Sequence, residues 1–299
     1  MKSTSSNWKG VKDSGYIQRR CTRKNGIQWT LWKQLDDLDF ADDISLLSHT
    51  KQQMKTKNDN LSSEAKKTGL NININKTKVM KINTQNESPI QLANEALEEV
   101  QEFTYLGSTI TTEGGADKDV TRRIGMARNA YNTLKPIWNS SSISTKTKLR
   151  IFNSNVKSVL LYGSETWKTT KEISNKLQTF INKCLHQILQ IRWPQKIRNT
   201  DLWERTGQIE ITKEIGKRKW SWIGHTLRKP TTNVTRQALE WNPAGKRKRG
   251  RPRKTWRRTI EEEMRAKNIT WQELKKTAQN RVRWRSVADA LCSTRSEVD

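Results

Sequence analysis

The strongest constraint on the fold of this chain is a change of hydrophobic period at Gly114-Gly115. Ahead of it apolar residues alternate with polar ones, as in Ile27, Trp29, Leu31 and again in Leu70, Ile72, Ile74. Alternation places every second side chain on one face of a strand. Behind it Val120, Ile124, Ala127, Tyr131, Leu134 and Trp138 recur at spacings of four and three, which makes a single apolar stripe on a helix. Strands gathered first and helices gathered after them predict an α+β fold, not an alternating α/β one.

Finer punctuation divides the chain further. Residues 1–23 hold no sustained period and read as an irregular tail. Residues 24–112 read as short strands forming a partial antiparallel sheet: Ile27 to Leu31, the two strands around Asp42, Leu70 to Ile74, Val79 to Ile82, Ile90 to Ala93, Ala96 to Glu98 and Phe103 to Ile110. One helix, Gln52 to Thr68, crosses that region and is stopped by Gly69 as a left-handed cap. Residues 113–165 hold two helices, the second carrying Leu149, Phe152, Val156 and Leu160. Residues 166–241 form a helical tail domain, with one helix from Ile173 to Ile188 ended by Pro194 and another from Ile215 to Leu227. A basic linker, 242–254, precedes C-terminal helices over 255–299, marked by Trp256, Ile260, Met264 and by Trp271, Leu274, Ala278, Val287.

Charge narrows the function. Lys and Arg number 57 against 30 Asp and Glu, a net +27, which suits a polyanionic partner, RNA or DNA first and an anionic membrane surface second, better than a small neutral metabolite. No stretch approaches the length of a membrane span, so no membrane partner is expected. The first ten residues lack the apolar core of a secretion signal. Cys21, Cys184 and Cys292 are odd in number and far apart. They fit a reducing compartment and predict no disulfide-linked partner.

Against this positive background, the segment between Lys33 and Lys51 contains Asp36, Asp37, Asp39, Asp42 and Asp43 and no Lys or Arg. Adjacent carboxylates repel, and a tight turn bearing two of them offers oxygens to a hard divalent cation; a solvated acidic hairpin has the same sequence. Phe40-Ala41-Asp42-Asp43 followed by Ile44 to Leu47 resembles the catalytic aspartate motif of reverse transcriptases of non-LTR retrotransposons. Gly69-Leu70-Asn71-Ile72-Asn73 with Lys76-Thr77-Lys78 resembles the next palm motif of that family, and Phe103 to Ser108 its primer-grip motif. Tyr162-Gly163-Ser164-Glu165-Thr166-Trp167, with Trp222-Ile223-Gly224-His225 and Gly250-Arg251-Pro252-Arg253, resembles the region beyond its thumb. The four stretches stand in register over roughly residues 24–290.

The resemblance implies an RNA-directed DNA polymerase working through two metal ions, with a partial palm at 24–112 and a thumb at 113–165. Asp42 and Asp43 would be metal ligands and catalytic, Lys76 would neutralise or protonate the leaving phosphate, and Tyr105, Leu106 and Gly107 would pack on the primer end. Ordinary strand burial accounts for Tyr105 and Leu106 equally well, and a solvated charge for Lys76. The family's third carboxylate, on an earlier strand, has no counterpart: the only acid before Asp36 is Asp13, in a context without a strand. The chain therefore reads as the C-terminal portion of such an enzyme, lacking the fingers and first half of the palm and inactive alone. Mg²⁺ would be its cofactor only if the palm site were completed, and a polypeptide carrying the upstream fingers and palm would be a partner. The second reading is a non-enzymatic nuclear nucleic-acid-binding protein whose aspartates are vestigial.

Candidate nucleic-acid contacts are cationic. Arg122, Arg123 and Arg128 lie off the apolar stripe of their helix. Lys246, Arg247, Lys248, Arg249, Arg251, Arg253 and Lys254 put seven cations into nine residues. Arg249-Gly250-Arg251-Pro252 has the composition of an extended minor-groove arm, while a nuclear import signal and a solvated linker fit as well. Nuclear localisation after cytoplasmic synthesis is the expectation. Among the thirteen tryptophans, Trp138 and Trp256 fall on core stripes, and Trp220 and Trp222, beside Lys217-Arg218-Lys219, are the candidates for base stacking, with burial the stronger expectation.

Overall fold

A computed structural model of the chain describes residues 26–28, 34–82, 84, 88–92, 94–241 and 255–292. The fold is α+β, as the change of period predicts. The described residues fall into two compact units, one holding Gly26 to Phe103 with Trp241, the other Thr104 to Glu240 with Thr255 to Cys292.

The first unit is built from short ladders. Strand β1 (Ile27–Gln28) pairs antiparallel with β2 (Gln34–Leu35), and β3 (Asp37–Phe40) with β4 (Asp43–Leu46). Helix α1 (Lys51–Lys67) follows, its first turn capped by the Thr50 hydroxyl, which accepts from the Gln53 amide at 3.2 Å. Gly69 succeeds it at φ +73°. Leu70 to Ile74, expected as a strand, is not one. The Asn73 side chain accepts from the Lys76 amide at 3.1 Å and closes a 3₁₀ turn over Ile74–Lys76. The asparagines between those isoleucines offer local bonds that compete with a ladder.

Beyond it β5 (Lys78–Val79) pairs with β8 (Glu98–Glu99) in parallel, a departure from the all-antiparallel expectation. Lys78 is ion-paired with Glu98, and Lys81 with Glu99 at 2.6 Å, so opposite charges fix the pairing. Strands β6 (Gln91–Leu92) and β7 (Glu95–Ala96) form a small antiparallel pair. The core here is modest: Ile90, Leu92 and Leu97, with Met54, Ile72, Ile74 and Val79 packed against them.

The boundary at Phe103 falls within β9 (Glu102–Tyr105), which pairs with β10 (Ser108–Thr111), and the chain then turns helical. Helices α2 (Asp117–Thr133), α3 (Lys135–Asn139) and α4 (Thr145–Ile151) lead into a π-helical turn, Phe152–Lys157, and the short α5 (Ser158–Leu160). There follow α6 (Lys171–Ile188), α7 (Asn199–Thr206), α8 (Ile211–Leu227) and α9 (Val234–Glu240), and then α10 (Trp256–Arg265), α11 (Trp271–Gln279) and α12 (Arg281–Cys292). Helix α6 stops at Ile188, well short of Pro194. Its terminator is Gln190 at φ +57°, after which the Ile191 amide bonds back to the His186 carbonyl at 3.0 Å.

The stripe read from Val120 to Trp138 is the spine of the larger core. Tyr131 stacks on Trp138 with ring centroids 5.0 Å apart and meets Phe152 edge-on at 6.3 Å. The Trp138 indole donates to the Tyr131 carbonyl at 2.7 Å, and the Trp138 carbonyl accepts from Lys148 and Gln190, so the polar edge of this buried ring and the helix end beneath it are both satisfied. Burial of Tyr131 pushes its phenol well above the ordinary tyrosine range. Helix α8 serves two cores. Ile211 and Ile215 pack with Leu177, Leu185 and Leu202, while Trp220, Ile223 and Leu227 receive Ile260, Met264, Leu274, Trp284 and Leu291. The C-terminal helices thus bury their apolar faces on α8 and not on one another alone.

Candidate nucleic-acid interface

The acidic segment forms the tip of the β3–β4 hairpin. Phe40 pairs with Asp43 as its last register pair, so Ala41, at φ +57°, and Asp42 make the turn. Asp39, Asp42 and Asp43 are exposed, and so are Leu38, Phe40 and Ile44, Phe40 by 64%. The five aspartates are not equivalent. Asp36, at the base of the hairpin, is paired at 2.9 Å with Lys57, a side chain only 1% exposed that also donates to the carbonyls of Asp36 and Leu47. Lys57 therefore ties the hairpin to α1 and removes Asp36 from any set of free ligands. Among the described residues no three His, Cys, Asp or Glu side chains come together in a group able to hold a metal ion. The donors present therefore do not make a magnesium site. Lys76 ends the 3₁₀ turn with its side chain exposed.

The segment expected to grip a primer is held in an unusual conformation. Leu106 and Gly107 are the two residues between β9 and β10, at φ +48° and +83°. Two successive positive φ values are those of the tight hairpin turn that matches strand twist. Gly107 adopts this without strain; Leu106 does not, since its Cβ crowds the backbone there. Two side chains hold it through three contacts. The Tyr162 hydroxyl donates to the Leu106 carbonyl at 3.0 Å, the Arg123 guanidinium donates to the Gly107 carbonyl, and that guanidinium lies over the Tyr162 ring, 4.3 Å from its centre.

One turn earlier on α2, Asp119 accepts from the Thr109 amide and from the Trp167 indole, each at 2.9 Å, and is 4% exposed. Gly163, at φ +74°, is the pivot that lets Tyr162 face the hairpin while Trp167 enters the core. The stretches Phe103–Ser108 and Tyr162–Trp167, more than fifty residues apart in the chain, thus meet through two residues of α2.

That geometry redistributes the cations read from α2. Arg123 is 5% exposed and serves the hairpin turn from inside. Arg122 is exposed and bonds Thr104 and Thr109 on the strands. Arg128 is exposed to solvent. Lys246, Arg247, Lys248, Arg249, Arg251, Arg253 and Lys254 lie outside the described residues. Sequence reasoning passed over an open, shallow depression lined by Lys146, Leu149, Arg150, Asn153, Ser154 and Thr206, with two cations and no acid among them. Lys146 and Arg150 stand one turn apart on α4, a like-charge spacing that repels unless an anion lies between.

The tryptophans sort differently from their flanking charges. Trp220 is fully buried, its indole donating to Glu263 at 2.8 Å, and Lys219 is paired with the same carboxylate. Trp222 packs edge-on against Trp256 with centroids 6.0 Å apart. Trp220 is therefore not free to stack on a base, and Trp222 is half-buried. Cys184 and Cys292 are buried free thiols, and no helix among the described residues is long and apolar enough to cross a membrane.

Comparison with known proteins bears on origin. Residues 130–162, from the end of α2 to Tyr162, match a family described as a domain of unknown function (DUF6451). Over 244 residues the chain is 28% identical to an uncharacterized protein of Caenorhabditis elegans that carries a provisional transposon-derived name, a match covering 78% of this chain and 86% of that protein. The chain is similar to a protein named for a mobile element.

Proposed function

We propose that this chain is the C-terminal part of a reverse transcriptase of the non-LTR retrotransposon type, acting as a nucleic-acid-binding module and unable to extend a primer alone. The observation that supports this reading is the meeting of Leu106-Gly107 with Tyr162 through Arg123. Two stretches that resemble separate motifs of one polymerase family form a single braced turn, and a braced turn at the end of a two-strand ladder is what gripping a strand end requires. The transposon-derived relative and the net charge of +27 support the same reading. The β3–β4 hairpin would contribute to a polymerase centre only when another polypeptide segment covered the exposed Leu38, Phe40 and Ile44 and brought a further carboxylate beside Asp42.

Two assays test it. In primer extension with Mg²⁺ the purified chain incorporates no nucleotide, and clear incorporation would refute the proposed inactivity. In binding, the chain favours a duplex with a recessed 3′ end over a blunt one, and Tyr162→Phe, which deletes one hydroxyl, reduces that preference. Equal binding to both ends by the parent chain would refute the grip.

The exposure of Asp42 and Asp43 favours a second reading, a nuclear nucleic-acid-binding protein whose aspartates have no role. Under it, Asp42→Ala leaves binding unchanged with or without Mg²⁺. Under the polymerase reading, Asp42→Ala abolishes the primer extension that appears when the fingers and first half of the palm are supplied as a second polypeptide.

A further inference from the structure

We propose that Trp193, with Arg192, Lys196 and Arg198, forms a stacking platform for single-stranded nucleic acid on the loop between α6 and α7; this deepens the nucleic-acid reading above and rests on it. Trp193 is 90% exposed, the most exposed of the large apolar side chains described, whereas Trp138 and Trp220 are fully buried. An indole is ordinarily covered, because no other side chain removes more apolar surface from water. One held open in a soluble unit marks a place where a flat partner lands.

The loop is built to hold the ring out and is not a slack connection. Gln190, at its start, donates to the Trp138 carbonyl at 3.1 Å, and Asn199, at its end, accepts from Asn182 at 3.0 Å. Ile191 and Ile197 pack against the large core on either side. Between them the Gln195 amide bonds to the Arg192 carbonyl at 2.8 Å, closing a turn with Trp193 inside it. The exposed ring therefore sits on a short arch with both feet in the core, which lowers the ordering cost of binding.

The loop itself carries one sign of charge, the next acid along the chain being Asp201 at the start of α7. Residues 173–200 contain no Asp or Glu. Lys196 and Arg198 form no ion pair with any described residue, and the guanidinium of Arg192 has only the Gln190 side chain, at 3.5 Å. Three cations beside an open indole reproduce the two components of sequence-tolerant single-strand binding: a ring on which any base stacks and charges that follow the phosphates. A base inside a duplex has no free face to offer, so the strand must be unpaired.

The test uses the full chain and labelled oligo(dT), oligo(U) and a blunt duplex in anisotropy titrations at two salt concentrations. Trp193→Ala weakens binding of a single strand roughly tenfold, the scale of one lost stacking contact. Trp193→Phe, which keeps a ring, recovers most of it, and the duplex is unaffected. The more affected of the two single strands identifies the natural ligand class. The salt dependence is unchanged by Trp193→Ala and shallower in the triple variant Arg192→Gln, Lys196→Gln, Arg198→Gln. If Trp193→Ala binds single strands as tightly as the parent, or weakens the duplex equally, the platform is refuted while nucleic-acid binding stands. If the parent chain binds no oligonucleotide, both fall together.

Discussion

Gly224 is the position where one added carbon has the largest worked consequence. It lies within α8 and faces Trp284 of α12. A methyl group there would come 2.1 Å from the indole nitrogen and 2.3 Å from its nearest ring carbon, over an ångström short of ordinary contact. The ring cannot easily withdraw: Trp284 is 4% exposed and its N–H donates to the Trp220 carbonyl at 3.1 Å. Gly224→Ala must therefore push α12 outward or turn the indole off its partner. Overpacking of this kind costs about 1–3 kcal/mol, and an orphaned buried N–H adds about 1–3 kcal/mol. The better helix propensity of Ala returns about 1 kcal/mol. The net expectation is a loss of about 1–5 kcal/mol. Gly125, in α2 with nothing within 4 Å of its added carbon, is the control, and Gly125→Ala stabilises by up to about 1 kcal/mol. Urea unfolding followed by circular dichroism measures both. Combining Gly224→Ala with Trp284→Phe, which shrinks the ring, should cost less than the sum of the two single changes. If Gly224→Ala matches Gly125→Ala in sign and size, the close packing of α12 on α8 is refuted.

Two further outcomes follow from buried charge and buried thiols. Lys57→Met strands the partly buried Asp36 and lowers stability by about 3 kcal/mol, whereas Asp42→Asn and Asp43→Asn at the exposed tip stay within about 0.5 kcal/mol; equal effects in an unfolding titration would show that the aspartates act as one cluster. Burial pushes the Cys184 thiol up to about 12, and burial aided by Glu263 pushes that of Cys292 to about 11, from an ordinary value near 9. The native state then holds both protons where the unfolded chain releases them, so stability is full below pH 9 and declines as pH rises from 9 towards 11. The urea midpoint should fall over that range, and less steeply in the Cys184→Ala, Cys292→Ala double variant; parallel declines would remove the thiols as the cause.

The periodicities carried the architecture because they are statements about local geometry. The stripe from Val120 to Tyr131 and the α6 residues Ile173 to Ile188 depend on neighbours three or four positions away, and they lie where the spacing places them; Leu134 and Trp138 fall at and beyond a break between α2 and α3. Leu70 to Ile74 misled, since an alternating pattern with asparagines serves a side-chain-closed turn as well as a strand. Pro194 misled likewise, because Gln190 had already ended the helix. The tryptophans could not be sorted by flanking charge: Lys219 beside Trp220 is occupied by Glu263, and the residues beside Trp193 hold no period that places its ring inside or outside the fold.

What the amino-acid order determined alone was an α+β chain with a strongly cationic surface and one acidic hairpin, since period and net charge are properties of the chain itself. Tertiary structure alone decided which charges are spent and which are free. Lys57 and Arg123 disappear into the fold, Leu106 is held at positive φ by Tyr162, and Trp193 stays in water, because a side chain's availability is set by which distant residues reach it.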